Sequence, residues 1–350
     1  IEHIIKKNLF FALICGLICI PSLLIITNMT INIFSDNIII QNYAQSYLNI
    51  RIFGSPATFI NFVILGVLLG SNEPWKIFKL VIFMNCLNIF LDLFLGMYLG
   101  LNLIGIAYGT IISEYTGVFL GLFYINNISP LRNLFNLKNI FRNKFYLIFK
   151  TNINLFIRTL LILISILMFT AIGSKLGETI LAANAILIIF QMFLSYSLDG
   201  FAQAAEVLIG NEYGKRNKNN IIKIIISSGI ISFIFALIYS LIFYYFAVNI
   251  ILLITSLEEV IVEINKYIFW IVLSPLISFL SFHLDGVFIG SNKTKIMRNS
   301  VVISFIIYLV CLMVLVPIYA NHGLWASFII FMLFRGLLLL IKYKSVYNFL

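Results

Sequence analysis

Ten apolar runs, each close to the length that crosses a bilayer, are separated along this chain by short connections that carry most of its charge. They fall at roughly 8–31, 44–70, 77–98, 103–125, 151–173, 180–209, 221–250, 264–290, 297–318 and 323–341. A helix rises about 1.5 Å per residue, so about 20 residues cover the ~30 Å of hydrocarbon in a membrane. Soluble domains carry about 25% charged residues, whereas this 350-residue chain has 10%, with 62% hydrophobic residues and a mean hydropathy of +1.07. A transmembrane β-barrel needs alternating segments of about 10 residues; these runs are continuous. The fold class expected is an all-α polytopic membrane protein.

Charge alternates from one connection to the next. One set, from Lys6 and Lys7 through Arg142, Lys215, Lys293 and Arg298 to Lys344, holds 18 of the 23 basic residues. The other set holds Asp36, Lys175 with Glu178, the Glu258/Glu259/Glu263 group and His322. Basic connections stay cytoplasmic, so both ends of the chain are expected inside, in agreement with ten crossings. The net charge of +10 is therefore read as topology, and no nucleic-acid partner is expected. Cys15, Cys19, Cys86 and Cys311 all lie within apolar runs without a CxxC spacing, which makes them small apolar residues rather than ligands.

An internal repeat organises the runs. Tyr47–Asn72 reads YLNIRIFGSPATFINFVILGVLLGSN and Tyr267–Asn292 reads YIFWIVLSPLISFLSFHLDGVFIGSN. Both open on Tyr, carry Ser-Pro, and close on G-V-x-x-G-S-N at an offset of 219–220 residues. Two homologous bundles are the plan of many transporters. In this register the runs at 151–173 and 180–209 have no counterparts in the first half. The expectation is four helices plus six, with two further helices ahead of residue 1, as the initial Ile also hints. Six helices per intact half give both bundles one orientation, related by an axis along the membrane normal. The domains expected are 1-125, an incomplete N-terminal bundle; 126-150, a basic cytoplasmic linker; and 151-350, the C-terminal bundle.

Gly pairs four apart, Gly66/Gly70, Gly96/Gly100, Gly105/Gly109, Gly117/Gly121 and Gly286/Gly290, are read as close helix packing. Ionisable residues within spans each cost roughly 2.5–3.5 kcal/mol at the bilayer centre and so normally face a cavity or a partner. They are Arg51, Asp92, Glu114, Arg158, Asp199, Glu206, His283, Asp285 and Arg335. Arg158, Glu206, Asp285 and Arg335 lie near cytoplasmic ends, where snorkelling or local pairing is expected. His283 is read as a satisfied packing residue. Asn85, Asn88 and Asp92 share one helix face, and the next helix offers Thr110 and Glu114. The short turn at 99–102 makes these helices antiparallel neighbours, so Asp92 and Thr110 can meet. A carboxylate among amide and hydroxyl groups in a dry bundle can take up and release a proton. Asp92, Asn88 and Thr110 are thus candidates for proton or cation coupling. Glu114, Asn85, Arg51, Asp199, Glu206 and Asp285 are candidates to line a cavity. Asp199 and Glu206 share a face among small residues. No Ser/His/Asp set, HExxH or Walker A sequence is present, so neither enzyme chemistry, nor a metal, nor a cofactor is expected.

Leu181–Gly210, LAANAILIIFQMFLSYSLDGFAQAAEVLIG, resembles the eighth helix of the multidrug and toxic compound extrusion (MATE) family in its DinF-type bacterial branch. Tyr47–Gly70 resembles that branch's fourth helix, and Asn88–Leu93 with Gly105–Thr110 its fifth and sixth. The resemblance implies a two-lobed, twelve-helix antiporter in the inner (plasma) membrane, acting as a monomer. It would exchange external H⁺ or Na⁺ for drugs or cationic or amphipathic metabolites. It also implies a first-lobe polar network that falls on Asn88, Asp92 and Thr110. Rival readings are a lipid-linked sugar flippase of the same helical plan, a polytopic membrane transferase, and a non-functional truncated remnant.

Overall fold

The computed structural model describes residues 2–34, 38–128 and 145–348. Most of the connection expected at 126–150 lies outside them, and its described flanks, up to Ile128 and from Phe145, are helical. The chain divides into two compact units, Ile1–Asn143 and Lys144–Leu350. In the first are α1 (Glu2–Phe34), α2 (Ile38–Arg51), a 3₁₀ turn (Ile52–Gly54) and α3 (Ser55–Gly70). α4 (Pro74–Leu91), a π-helical segment (Asp92–Tyr98) and α5 (Asn102–Ile128) complete it. The second holds α6 (Phe145–Lys175), α7 (Glu178–Gly214), α8 (Lys218–Ile254), α9 (Glu258–Gly290), α10 (Thr294–Ile341) and a 3₁₀ turn (Tyr343–Val346).

Hydrocarbon offers a backbone no hydrogen bonds, so each spanning segment must satisfy its own, which a helix does. Among the described residues nine helical segments are long and apolar enough to cross a membrane. The tenth crossing is hidden in α10. At Ala320 the backbone leaves helical geometry (φ 49°, ψ −124°). A Cβ on Gly323 would collide with the Leu315 carbonyl, although eight residues of straight helix would separate them by about 12 Å. α10 therefore folds back on itself as two legs, three residues after Pro317. The large side chains Phe119, Phe156 and Leu253 face outward, as lipid tails allow.

Both copies of the repeat end on the same turn. Asn72 N–H bonds Leu69 O and Glu73 N–H bonds Leu68 O; Asn292 N–H bonds Ile289 O and Lys293 N–H bonds Phe288 O. This is the Schellman cap, with Asn72 (φ 58°) and Asn292 (φ 56°) in the left-handed position that Asn tolerates. The Ser-Pro steps differ. In the first copy Pro56 cannot donate a backbone bond; Ile52–Gly54 tightens to 3₁₀, and Ser55 Oγ donates to Ile52 O at 2.8 Å. In the second, α9 runs through Pro275 unbroken, and Ser274 Oγ donates to Gln191 Oε1 of α7 at 2.5 Å.

The first unit packs around Ile64, Leu68, Leu80 and Ile125. In the second, α7 and α9 pack backbone to backbone. A Cβ on Gly286 would strike the Ala202 backbone carbonyl, and one on Gly290 the Glu206 carbonyl. Nothing lies within 4 Å of a Cβ on Gly66 or Gly70, their counterparts in the first copy. A backbone carbonyl cannot move aside, so Gly286→Val is expected to cost about 1–3 kcal/mol through overpacking. Gly66→Val should stay within about 0.5 kcal/mol. Thermal unfolding in detergent checks both, and equal melting temperatures for the two variants would contradict the packing described.

Candidate coupling site and cavity

α4 delivers Asn88 in its last turn, and Asp92 opens the π-helical segment. Asn88 Nδ2 donates to Asp92 Oδ1 at 3.1 Å and to Thr110 Oγ1 of α5 at 3.3 Å. The amide bridges the two groups; Asp92 and Thr110 do not bond directly. Thr110 Oγ1 in turn donates to Ile106 O at 2.9 Å, so its lone pairs stay turned to the amide. A π turn inserts one residue into the ladder, visible as Leu99 N–H bonding Phe94 O at 2.9 Å. Its register turns Asp92 toward α5. Gly109 leaves room for it, since a Cβ there would lie 2.5 Å from Asp92 Oδ1. The Gly105/Gly109 pair is thus packing, and Gly109 is also part of the site. The spacing of the residues gave no sign of the π segment.

Glu114 and Arg51 form their own pair. Arg51 Nη1 donates to Glu114 Oε2 at 3.0 Å and Nη2 to Glu114 Oε1 at 2.6 Å. The two side chains are 27% and 14% exposed. Asn61 Nδ2 also donates to the Glu114 backbone oxygen at 2.9 Å, and Tyr115 Oη to Phe53 O at 3.0 Å. Together these bonds clamp the 3₁₀ break between α2 and α3 onto α5. A double-mutant cycle on Arg51→Met and Glu114→Gln should give a coupling of about 1–2 kcal/mol in unfolding free energy. Strict additivity would show that the pair contributes nothing. Asn85 stays outside the cluster; its Nδ2 donates to Val81 O of its own helix at 2.9 Å, on an exposed face.

In the second unit Asp285 of α9 is the centre of a charge triad. Its Oδ2 accepts from Arg335 Nη2 of α10 at 2.7 Å and from Arg158 Nη2 of α6. The Asp285 and Arg335 side chains are 5% and 2% exposed, and Arg158 is 19% exposed. Of the two roles expected here, snorkelling or a local ion pair, Arg158, Asp285 and Arg335 show ion pairing, and it ties three helices together. A buried carboxylate between two guanidiniums could be foreseen only by knowing which helices touch. His283 is buried beside Gly229 of α8, but its Nδ1 finds no hydrogen-bond partner among the described residues, so it packs as expected but is left unsatisfied.

A cavity of about 430 Å³ opens beside the triad. Phe169, Trp325 and Phe328 line it together with Gln191, Arg158, Asp199 and Arg335. Trp325 Nε1 donates to Asn184 Oδ1 at 2.9 Å, and Asn184 and Asn321 exchange two amide hydrogen bonds of 2.8 and 3.0 Å. These bonds hold the indole in place. Asp199 faces the cavity; Glu206, seven residues on, is not among its lining residues, and its backbone packs on Gly290 instead. Among the described residues no three His, Cys, Asp or Glu side chains converge as a metal site would require.

The MatE family model matches residues 155–318. The chain is 33% identical over 314 residues to the DNA damage-inducible protein F of Escherichia coli (strain K12), covering 89% of this chain and 68% of that protein. The chain belongs to the MATE family, in its DinF-type branch. It is also 25% identical to the chloroplastic Protein DETOXIFICATION 44 of Arabidopsis thaliana, over 83% of this chain and 55% of that one. Solved MATE folds superpose on it. A MOP superfamily transporter from Pyrococcus furiosus gives a TM-score of 0.83 at 18% identity, covering 99% of this chain and 78% of that one. A Vibrio cholerae MATE transporter in its bent form gives 0.83 at 16%, covering 98% and 79%. MATE proteins are multi-pass membrane transporters rather than enzymes, and the nine long apolar helical segments among the described residues fit that class.

Proposed function

We propose that this protein is an antiporter that expels drugs or cationic or amphipathic metabolites in exchange for H⁺. The first-unit cluster of Asn88, Asp92 and Thr110 carries the coupling. The observation behind this is the Asn88 bridge: one amide holds a membrane-embedded carboxylate and a hydroxyl on two neighbouring helices. Asn88 donates to Asp92 within its own helix and to Thr110 across to α5, so protonating Asp92 removes the charge that steadies the amide and loosens its hold on α5. A proton thereby changes helix packing, as an ion-driven transporter needs. Coupling to Na⁺ would require Asn88 to turn its amide so that Oδ1 faces the ion, because hard cations take oxygen ligands.

The proposed setting is a bacterial inner membrane with both ends of the chain cytoplasmic, and the bundles at 1-125 and 151-350 act as the two lobes of a monomer. The flippase reading is less well supported. A lipid diphosphate needs a net cationic pocket, whereas Arg158 and Arg335 share the second-unit cavity with Asp199 and are already paired with Asp285, which is not among its lining residues. Everted vesicles carrying the full-length protein provide the test. With an acid-inside gradient, adding a cationic dye such as ethidium should release lumenal protons, seen as dequenching of acridine orange. Dye movement that persists after an uncoupler and follows Na⁺ instead would overturn the choice of H⁺. No dye movement under either gradient would overturn the antiporter itself.

A further inference from the structure

The fold-back of α10 carries a contact that only one protonation state of its acceptor allows. Trp270 Nε1 of α9 donates to His322 Nδ1 at 3.1 Å. An indole nitrogen can only donate, and an imidazole nitrogen accepts only while it carries no proton. The bond therefore exists with His322 neutral and its one ring proton on Nε2. A second proton turns both ring nitrogens into donors and sets two N–H groups against each other.

Its position gives the bond consequence. Ala320, two residues earlier, holds a positive-φ backbone (φ 49°, ψ −124°), and such a residue persists only where its surroundings over-determine it. Side chains fasten the turn in two directions. Asn321 exchanges two amide bonds with Asn184 of α7, and His322 reaches Trp270 of α9. Asn321 is fully buried and carries no titratable group. His322 is exposed, so protons from solvent reach it. The surrounding charges favour the protonated ring. The imidazole packs 4.8 Å from the ring of Tyr267, whose Oη donates to Glu263 Oε1 at 2.9 Å. Lys266 Nζ pairs with the other oxygen of Glu263 at 2.6 Å. Glu258 and Glu259 open α9, and the α6–α7 turn adds Lys175 and Glu178. That turn lies at the same end, since a Cβ on Gly173 would meet Asn184 and Leu324. Four carboxylates against two ammonium groups stabilise a positive charge on the imidazole.

We propose that His322 and Trp270 form an acid-sensing latch at this end of the second unit. It is closed while the imidazole is neutral, and protonation opens it, freeing the α10 fold-back from α9. Histidine is the side chain that ordinarily changes charge between about pH 5 and 8. The latch does not depend on the coupling role given to Asp92. With the basic connections inside, this end faces outward and external acid is the signal; that placement alone rests on the proposed topology.

The test is nuclear magnetic resonance of the full-length protein in detergent, labelled with ¹⁵N-tryptophan, with the Trp270 indole signal assigned by its loss in Trp270→Phe. Between about pH 8 and about pH 5 that signal should move from a hydrogen-bonded to a free indole position, while those of Trp75 and Trp325 stay. His322→Gln, whose side-chain oxygen accepts from the indole and does not titrate, should abolish the movement. At about pH 5, backbone amides of 319–324 should exchange about fivefold faster in the wild type than in His322→Gln, the factor one ordinary hydrogen bond supplies. A Trp270 signal fixed across the range, one that moves equally in His322→Gln, or equal exchange in the two proteins would each overturn the latch.

Discussion

Asp92→Asn is expected to reduce proton-driven export to the leak measured in vesicles without the protein, while the protein still inserts and folds. The substitution keeps the shape of the side chain and its ability to accept from Asn88 Nδ2, a bond of 3.1 Å in the native structure. What it removes is the titratable charge, so folding should be spared and coupling lost. Asn88→Ala should impair transport in part, because Asp92 and Thr110 are then no longer bridged. Asn85→Ala should leave it at the wild-type rate, since that amide bonds only its own helix. Substrate-induced proton release in everted vesicles separates the three. Wild-type release in Asp92→Asn would remove this carboxylate from the mechanism.

Asp285→Ala is expected to cost about 3–5 kcal/mol of stability, because it removes the one carboxylate that bonds both guanidiniums. The Arg335 side chain is only 2% exposed. The aromatic faces of Phe282 and Phe331, 5.8 and 5.6 Å from its guanidinium carbon, offset a buried charge only in part. Replacing all three members together, Arg158→Met with Asp285→Leu and Arg335→Met, should cost less than the single change. A buried ion set can be exchanged for apolar side chains of like volume, whereas breaking it strands a charge. Thermal unfolding in detergent decides. An Asp285→Ala melt equal to wild type, or a triple variant less stable than the single, would show that the triad does not hold α6, α9 and α10 together.

The candidate site was partly legible before the structure. Helical spacing placed Asn88 and Asp92 on one face, and the short 99–102 turn brought Thr110 beside them, because both depend only on local geometry. The same spacing put Asn85 on that face and Glu114 beside Thr110, and there the tertiary structure decided otherwise. Asn85 turns outward, and Glu114 is taken by Arg51, sixty-three positions away in the chain. Long-range pairings of this kind, like that between Arg158 and Asp285, leave no periodic mark in a sequence.

By itself the sequence determined that this chain crosses a membrane as helices, roughly where each crossing lies, and that its two halves repeat. The cause is solvent: hydrocarbon demands apolar length and self-satisfied backbone, and both are properties of contiguous residues. What only the tertiary structure decided is what each repeated motif is for. Ser55-Pro56 sits at a 3₁₀ break, and Ser274-Pro275 joins α9 to α7 inside an unbroken helix. The G-V-x-x-G of α9 packs against α7, and the same letters in α3 face open space. Identical residues acquire different roles because packing depends on which neighbour is present, and a neighbour is not encoded in the motif.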